Sequence, residues 1–414
     1  MKTRQPSVLG GAMIAAGTMI GAGMLTLPIV SAGMWFTWTI FIMLLTTFFM
    51  QNSAEELLEV NLSYPEGSSF HTLVKDNLGH FATIINGLSV AFVLYILLYA
   101  YVDGSGSVIQ NALQMNFDIA MPKAMADLIF AVVLSILVWW GAKAVDRIST
   151  ILMFAMFITL FAALTGLLKS ISIPNLFEPS GEPSFAIYAF ASLPFFLTSF
   201  CFHASVPSFV KYYGREGGKK IRLAIAIGMI LTLIFYGVWM LGIMGNIPRI
   251  QFLELATTKM DGLIWLLNTV NLSEMFRTIL KFFMFFAVVT SFLGAGLGLF
   301  DYIADLCKFD DSALGRAKTA VITFIPPTIL GMSLPGGFIV AIGFAGLFAA
   351  IWSVIIPGMM VIAHRKKAGN EKPVFRAMGG KWMPYIVIIY GVIAAVSHLL
   401  VEVFHWNALN FLAP

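Results

Sequence analysis

The chain has 414 residues, 59% of them apolar by the AVILMFWYC count and only 11% charged, with a net charge of +4. A soluble domain carries about 45–50% apolar and about 25% charged residues, so this composition excludes a soluble enzyme and makes the bilayer the solvent for most of the protein. The two cysteines, Cys201 and Cys307, are both expected inside apolar helices and supply neither a disulfide framework nor zinc-ligand spacing.

Apolar windows of about 20 residues, separated by polar or turn-forming breaks, predict an all-α polytopic membrane protein with eleven spans. They lie near 8–33, 35–54, 82–113, 122–142, 148–169, 185–210, 221–245, 276–306, 317–334, 336–363 and 383–406. The opening MKTRQPSVLGG lacks the short apolar core and small-residue site of a signal peptide, so the first span is expected to persist in the mature protein. Of the 25 Lys and Arg residues, Lys123, Lys169, Arg249, Lys259, Arg277 and Lys281 fall on one side of this topology. The other 19, from Lys2 and Arg4 to Lys372 and Lys381, fall on the opposite side. The positive-inside rule then puts the N-terminus in the cytoplasm and the C-terminus outside. The mild net charge reflects topology and gives no reason to expect a nucleic acid partner. The longest loops, 54–81 and 246–275, have room for little more than a short amphipathic helix each, so function must sit among the spans.

Span one contains Gly17, Gly21 and Gly23 within seven residues, followed by Pro28, a density that weakens the helical hydrogen-bond ladder at mid-membrane depth. At the inner end of span two, Glu55 and Glu59 form an i, i+4 pair, which is either a gate salt bridge to nearby Lys or Arg or a solvated helix end. In span three Tyr95, Tyr99 and Asp103 share a face. Span six carries Ser199-Phe-Cys-Phe-His203-Ala-Ser-Val-Pro207 at a depth like that of the first break. Aligning Gly21–Pro28 with Phe200–Pro207 brings the prolines into register five spans apart, and an odd number of spans per repeat inverts the second copy. Residues 1–170 (spans one to five) and 185–363 (spans six to ten) therefore read as inverted repeats, with span eleven (383–406) appended. Small-xxx-small helix packing is the competing reading for Gly17 and Gly21.

Half-helix ends expose N–H groups of positive dipole character and carbonyls of negative character, a pair that fits a zwitterionic amino acid. Its carboxylate is expected on the amides of Gly21, Ala22 and Gly23. Its ammonium is expected near Ala16, Gly17, Thr18 and the stretch Ser199 to Phe202. His203 lies inside the second break, where an imidazole either relays a proton or caps exposed carbonyls. Along span eight, Gly294, Gly298, Asp301 and Asp305 make a stripe that turns acidic, with Thr290 and Ser291 beside it. In span eleven His398, Glu402 and His405 share a face, but without visible supporting groups they are not assigned a metal, and no cofactor is expected. Trp35, Trp38, Trp382 and Trp406 are placed at span ends as interfacial anchors.

These motifs resemble the aromatic amino acid permeases of bacteria, the hydroxy and aromatic amino acid permease family within the amino acid–polyamine–organocation superfamily. The resembling segments are GTMIGAGML at 17, LLEVNLSYPEGSSF at 57, AFVLYILLYAY at 91, SLPFFLTSFCFHASVPS at 192, MGNIP at 244, TSFLGAGLGLFDYIADL at 290, GRAKTA at 315 and IGFAGL at 342. Through YPEGSSF, MGNIP and FDDSALGRAKTA the chain is most similar to the tryptophan-specific members. The resemblance implies an eleven-helix carrier of the LeuT-type fold in the bacterial inner membrane, importing an aromatic amino acid, tryptophan first, by proton symport. It also implies a role for a span-three tyrosine, Tyr95 or Tyr99, on the substrate carboxylate, and offers Phe200 and Phe202 as walls for the side chain. The family usually reads Ser-Phe-Gly-Phe-His-Gly in span six, where this chain has Cys201 and Ala204. His203, Asp301 and Glu59 are the proton-coupling candidates. The hydroxyls of Thr290 and Ser291 match a sodium site in other members of the fold, so sodium stays open as the driving ion. Filter loops of a channel, an HExxH metalloprotease motif and a GxxxxGK[ST] phosphate loop do not occur in the sequence.

Overall fold

The computed structural model describes residues 7–177, 185–252, 254, 262–270, 272–369, 373–406 and 408; Lys2, Arg4, Lys259 and Lys372 lie outside these residues. The described residues are nearly all helical and contain no strand. Each expected window holds a helix or, in spans one and six, helical pieces in series, and eight helices among the described residues are long and apolar enough to cross a membrane. Span two runs further than its apolar window, over Trp35–Asn61, because its last turns find buried partners instead of water. Span three belongs to a helix of residues Phe70–Phe117 that bends at Gly79, whose φ of 82° lies in the left-handed region that favours glycine. Residues 70–78 form the short arm expected in the loop 54–81. Among its described residues, the loop 246–275 likewise holds a turn at Arg249–Phe252 and a helix at Gly262–Thr269.

Spans one and six form the buried centre. Span one is helical over Val8–Met19, leaves the helix at Ile20 and Gly21, forms a 3₁₀ turn at Ala22–Leu25 and resumes at Leu27–Val30. Span six is helical over Ala189–Ser199, opens at Phe200–Phe202, turns through His203–Ser205 and resumes at Val206–Tyr213. Pro28 and Pro207 both sit in the first turn of the downstream piece, where a missing N–H costs no helical bond. Cys201 is thus in irregular backbone rather than inside a helix, whereas Cys307 ends the helix Glu274–Cys307.

Around this centre the other spans turn apolar side chains outward. Leu128, Val132, Phe154, Ile158, Ile329 and Ile389 are all exposed, as a bilayer-facing surface requires. Small-residue packing does occur, but at different glycines from those in the break. A Cβ on Gly228 of span seven would lie 2.7 Å from the Ala15 Cβ and 2.8 Å from the Ala12 carbonyl, so these two helices meet backbone to backbone. Trp38, Trp382 and Trp406 are exposed at span ends. Trp35 is not an interfacial anchor, being buried against Phe252 with its indole N–H donating to the Asn175 carbonyl at 2.7 Å.

Candidate functional site

The break in span one is held open by named partners. The Ile20 amide closes the last helical bond, to the Ala16 carbonyl at 2.8 Å, and Gly21 is then fully extended (φ −165°, ψ −156°), a conformation open to any residue. Space, not backbone angle, is what calls for glycine here. A Cβ on Gly21 would lie 2.7 Å from Ser291 Oγ, and one on Gly23 would lie 3.1 Å from Ser199 Oγ. The Ala22 amide donates to Ser291 Oγ at 3.1 Å, linking span eight to the break. Ser199 Oγ, pressed against Gly23, is buried and has no hydrogen-bond partner among the described residues.

Span seven ties the two breaks together. The buried Tyr236 hydroxyl donates between the carbonyls of Met19, at 2.6 Å, and Ser199, at 2.9 Å, one from each broken span. Trp239 Nε1 donates to the Met24 carbonyl at 3.1 Å, and Thr26 Oγ1 to the Gly23 carbonyl at 2.9 Å. Carbonyls freed by the irregular backbone are thereby met by side chains, which is what non-helical backbone at membrane depth requires.

A cavity of about 560 Å³ opens beside the first break. Gly17, Gly21, Tyr101, Met153, Met156 and Ser291 wall it, and it extends toward Met13 and Ser149 near the N-terminal ends of spans one and five. Thr18 and Thr290 also line it, though each hydroxyl donates back along its own helix, to the Ile14 and Phe286 carbonyls at 2.8 Å each. The size falls within the roughly 300–1,000 Å³ of small-molecule pockets, and the walls are largely apolar with a few polar groups at the broken backbone. Gly294 continues the wall, and Gly298, Asp301 and Asp305 follow as an exposed stripe along span eight.

The remaining sequence candidates lie elsewhere. Tyr95 donates to the Ile322 carbonyl at 2.9 Å and Tyr99 to the Leu334 carbonyl at 2.8 Å, so both face span nine. Tyr101, two residues further on the opposite face, is the tyrosine that reaches the cavity. Phe200 is buried edge-on to Tyr236 (5.1 Å between ring centres), Phe202 packs on His203 (5.2 Å), and His203 meets Trp352 of span ten edge-on (6.4 Å). Both imidazole nitrogens of His203 are without a hydrogen-bond partner among the described residues. Asp103 is buried, with Lys123 Nζ at 2.7 Å and the amides of Gly336 and Phe338 at 3.0 Å, so it locks spans three, four and ten together. Glu55 and Glu59 form ion pairs rather than a solvated end. Arg222 reaches Glu55 at 2.6 Å, and Arg365 grips Glu59 with two bonds of 2.8 and 2.7 Å. In span eleven His398 is buried against Phe195 and Phe344 while His405 lies exposed past the helix. Sequence reasoning missed Tyr101, Tyr236 and the two methionines. Only Tyr101 left a signal, as the final residue of the AFVLYILLYAY segment.

A family model described as the tryptophan/tyrosine permease family matches residues 4–398. A tryptophan-specific transport protein of Pseudomonas aeruginosa (strain UCBPP-PA14) is 47% identical over 408 residues, covering 98% of this chain and 97% of the relative. A low affinity tryptophan permease of Escherichia coli (strain K12) is 38% identical over 94% of both chains, and a tyrosine permease of Enterobacter agglomerans is 39% identical over 94% and 95%. Among solved structures, a histidine-to-alanine mutant of the Eremococcus coleocola manganese transporter superposes with a TM-score of 0.58, covering 97% of this chain and 88% of that one at 14% identity. At that identity the likeness shows the fold, which is of the LeuT type, and nothing about the cargo.

Proposed function

This chain belongs to the tryptophan/tyrosine permease family, and from that premise we propose that it is a secondary transporter importing tryptophan with a proton by alternating access. The observation that carries the reading is the cavity at the first break, which brings irregular backbone, small residues and apolar walls to one place. In this reading the substrate carboxylate takes the amides of Gly21, Ala22 and Gly23, with Ser291 yielding the Ala22 amide as it arrives. The ammonium faces the carbonyls at Ala16 to Thr18 and across at Ser199 to Phe202. The indole lies against Tyr101, Met153 and Met156, where sulfur–aromatic contact favours a flat ring over a branched chain.

Spans one to five and six to ten act as inverted repeats that rock about this site, span eleven lying outside the motion. With the N-terminus cytoplasmic and the C-terminus periplasmic, the cavity opens toward the cytoplasm and describes the inward-facing member of the cycle. Uptake of labelled tryptophan into reconstituted vesicles, with pH and sodium gradients imposed separately, tests the proposal. Accumulation driven by an inward proton gradient at equal sodium is the expected result. Accumulation that follows sodium at fixed pH, and is lost in Thr290→Ala/Ser291→Ala, overturns the proton assignment.

A further inference from the structure

The acidic end of span two holds one carboxyl that no contact described so far uses. Glu55 is paired with Arg222 and also accepts from the Met378 amide; Glu59 is paired with Arg365 and also accepts from the Ala377 amide. Between them Glu56 is fully buried, and neither of its carboxyl oxygens has a hydrogen-bond partner among the described residues. A carboxylate sealed from water without partners is costly, whereas the neutral acid loses only its ordinary hydrogen bonds.

Glu56 stands at the end of a polar seam between spans two, six and ten. One turn back on its own helix, Asn52 Oδ1 is buried without a partner and Ser53 donates to the Ser353 carbonyl. Ser353 lies in the π-helical stretch Ala350–Ile355 of span ten, a widened turn of the kind that gathers at functional sites. The Cys201 thiol reaches Ser353 from the break of span six. The neighbouring Trp352 has an unpartnered indole N–H and meets His203, whose two nitrogens are also unpartnered. Buried polar atoms at this density each lack the partner, protein or water, that such groups ordinarily have.

We infer that Glu56 is the proton-binding carboxyl of the transport cycle, reached along the seam between spans two, six and ten. This rests on the proton-symport reading above. A proton from the water on one side adds to the carboxylate to give the neutral acid, and its release to the other side restores the carboxylate; no other bond changes. The charged groups that act on it are Arg365 at the end of span ten and Glu59 and Glu55 on its own helix; Arg222 of span seven is bonded to Glu55, His364 to Ser63, and Cys201 and His203 of span six lie at the far end of the seam on Ser353 and Trp352. Arg376 lies on the segment before span eleven, and Tyr390 of span eleven is bonded to Thr46, nearly three turns back along span two. Once deprotonated, Glu56 competes with Glu59 for the guanidinium of Arg365. Its titration therefore loosens the pair that ties span two to span ten, which links the proton to the rocking of the repeats.

The test is Glu56→Gln in the full chain, an isostere of the neutral acid, reconstituted in vesicles. With an inward gradient of two pH units, one proton per substrate supports up to about 100-fold accumulation of tryptophan. The variant should show none, yet exchange internal for external tryptophan at a rate independent of pH. Gradient-driven accumulation retained by Glu56→Gln would overturn the inference. If wild-type protein itself ignores the pH gradient, the proton-symport reading fails instead. A second measurement needs no variant: dicyclohexylcarbodiimide, which reacts with protonated carboxyls in apolar surroundings, should label Glu56 and spare Glu55 and Glu59. It should also block driven uptake. Labelling of Glu55 or Glu59 with Glu56 untouched would overturn the inference.

Discussion

Gly21→Val should weaken tryptophan binding without unfolding the protein, and the size of the effect follows from the break. The extended backbone at Gly21 accepts a β-branched residue without strain, so the cost is steric. Its Cβ would fall 2.7 Å from Ser291 Oγ, well inside the 3.4 Å at which ordinary contact begins. The bond from the Ala22 amide to Ser291 is given up on substrate binding in any case, so the loss of affinity comes from the two γ-methyls, which enter the space the substrate needs at an overpacking cost of about 1–3 kcal/mol. That corresponds to binding about 5-fold to about 150-fold weaker. Equilibrium binding of labelled tryptophan to purified protein, run beside size-exclusion chromatography, measures it. Two controls sharpen the test. Gly294→Ala, on the same wall but with open space at its Cβ, should bind as wild type. Gly21→Ala, whose clash is with Ser291 Oγ alone, should lose less than additively when combined with Ser291→Ala. A well-folded Gly21→Val protein with wild-type affinity would refute the reasoning.

Tyr236→Phe keeps the ring on Phe200 but leaves the Met19 and Ser199 carbonyls short of a donor, and should cost about 1–3 kcal/mol, read as a lower midpoint of thermal unfolding in detergent. Asp103→Ala leaves the Gly336 and Phe338 amides without an acceptor and Lys123 with Asp127 alone, and should cost about 1–3 kcal/mol per amide, seen as a fall in folded yield, while Asp103→Asn, which keeps an acceptor, should fall less. In competition for uptake, tryptophan should outrank leucine and alanine; an alanine or serine preference would point to the side chains gained at Cys201 and Ala204.

The two breaks were legible because glycine density and a proline in register are local signals, and the structure puts both prolines in the first turn after a break. Which tyrosine reaches the cavity was not. Tyr95, Tyr99 and Tyr101 lie on one helix, and only the neighbours, invisible in sequence, decide that the first two face span nine. The i, i+4 spacing of Glu55 and Glu59 revealed a shared face but not that Arg222 and Arg365, 167 and 306 residues away, would bury it. Glu56, off that face, gave no periodic signal at all. The kink at Gly79 was likewise unseen, because that residue fell in the loop 54–81, where a lone glycine does not tell a bend inside one continuous helix from a break before it.

The central claim is that an aromatic amino acid sits on the broken backbone of span one, and a cryo-electron microscopy map of the protein with tryptophan tests it most directly. The account predicts density for the carboxylate against the amides of Gly21–Gly23 and for the indole between Tyr101, Met153 and Met156. Tryptophan density elsewhere, with the Ala22 amide still bonded to Ser291, would contradict it.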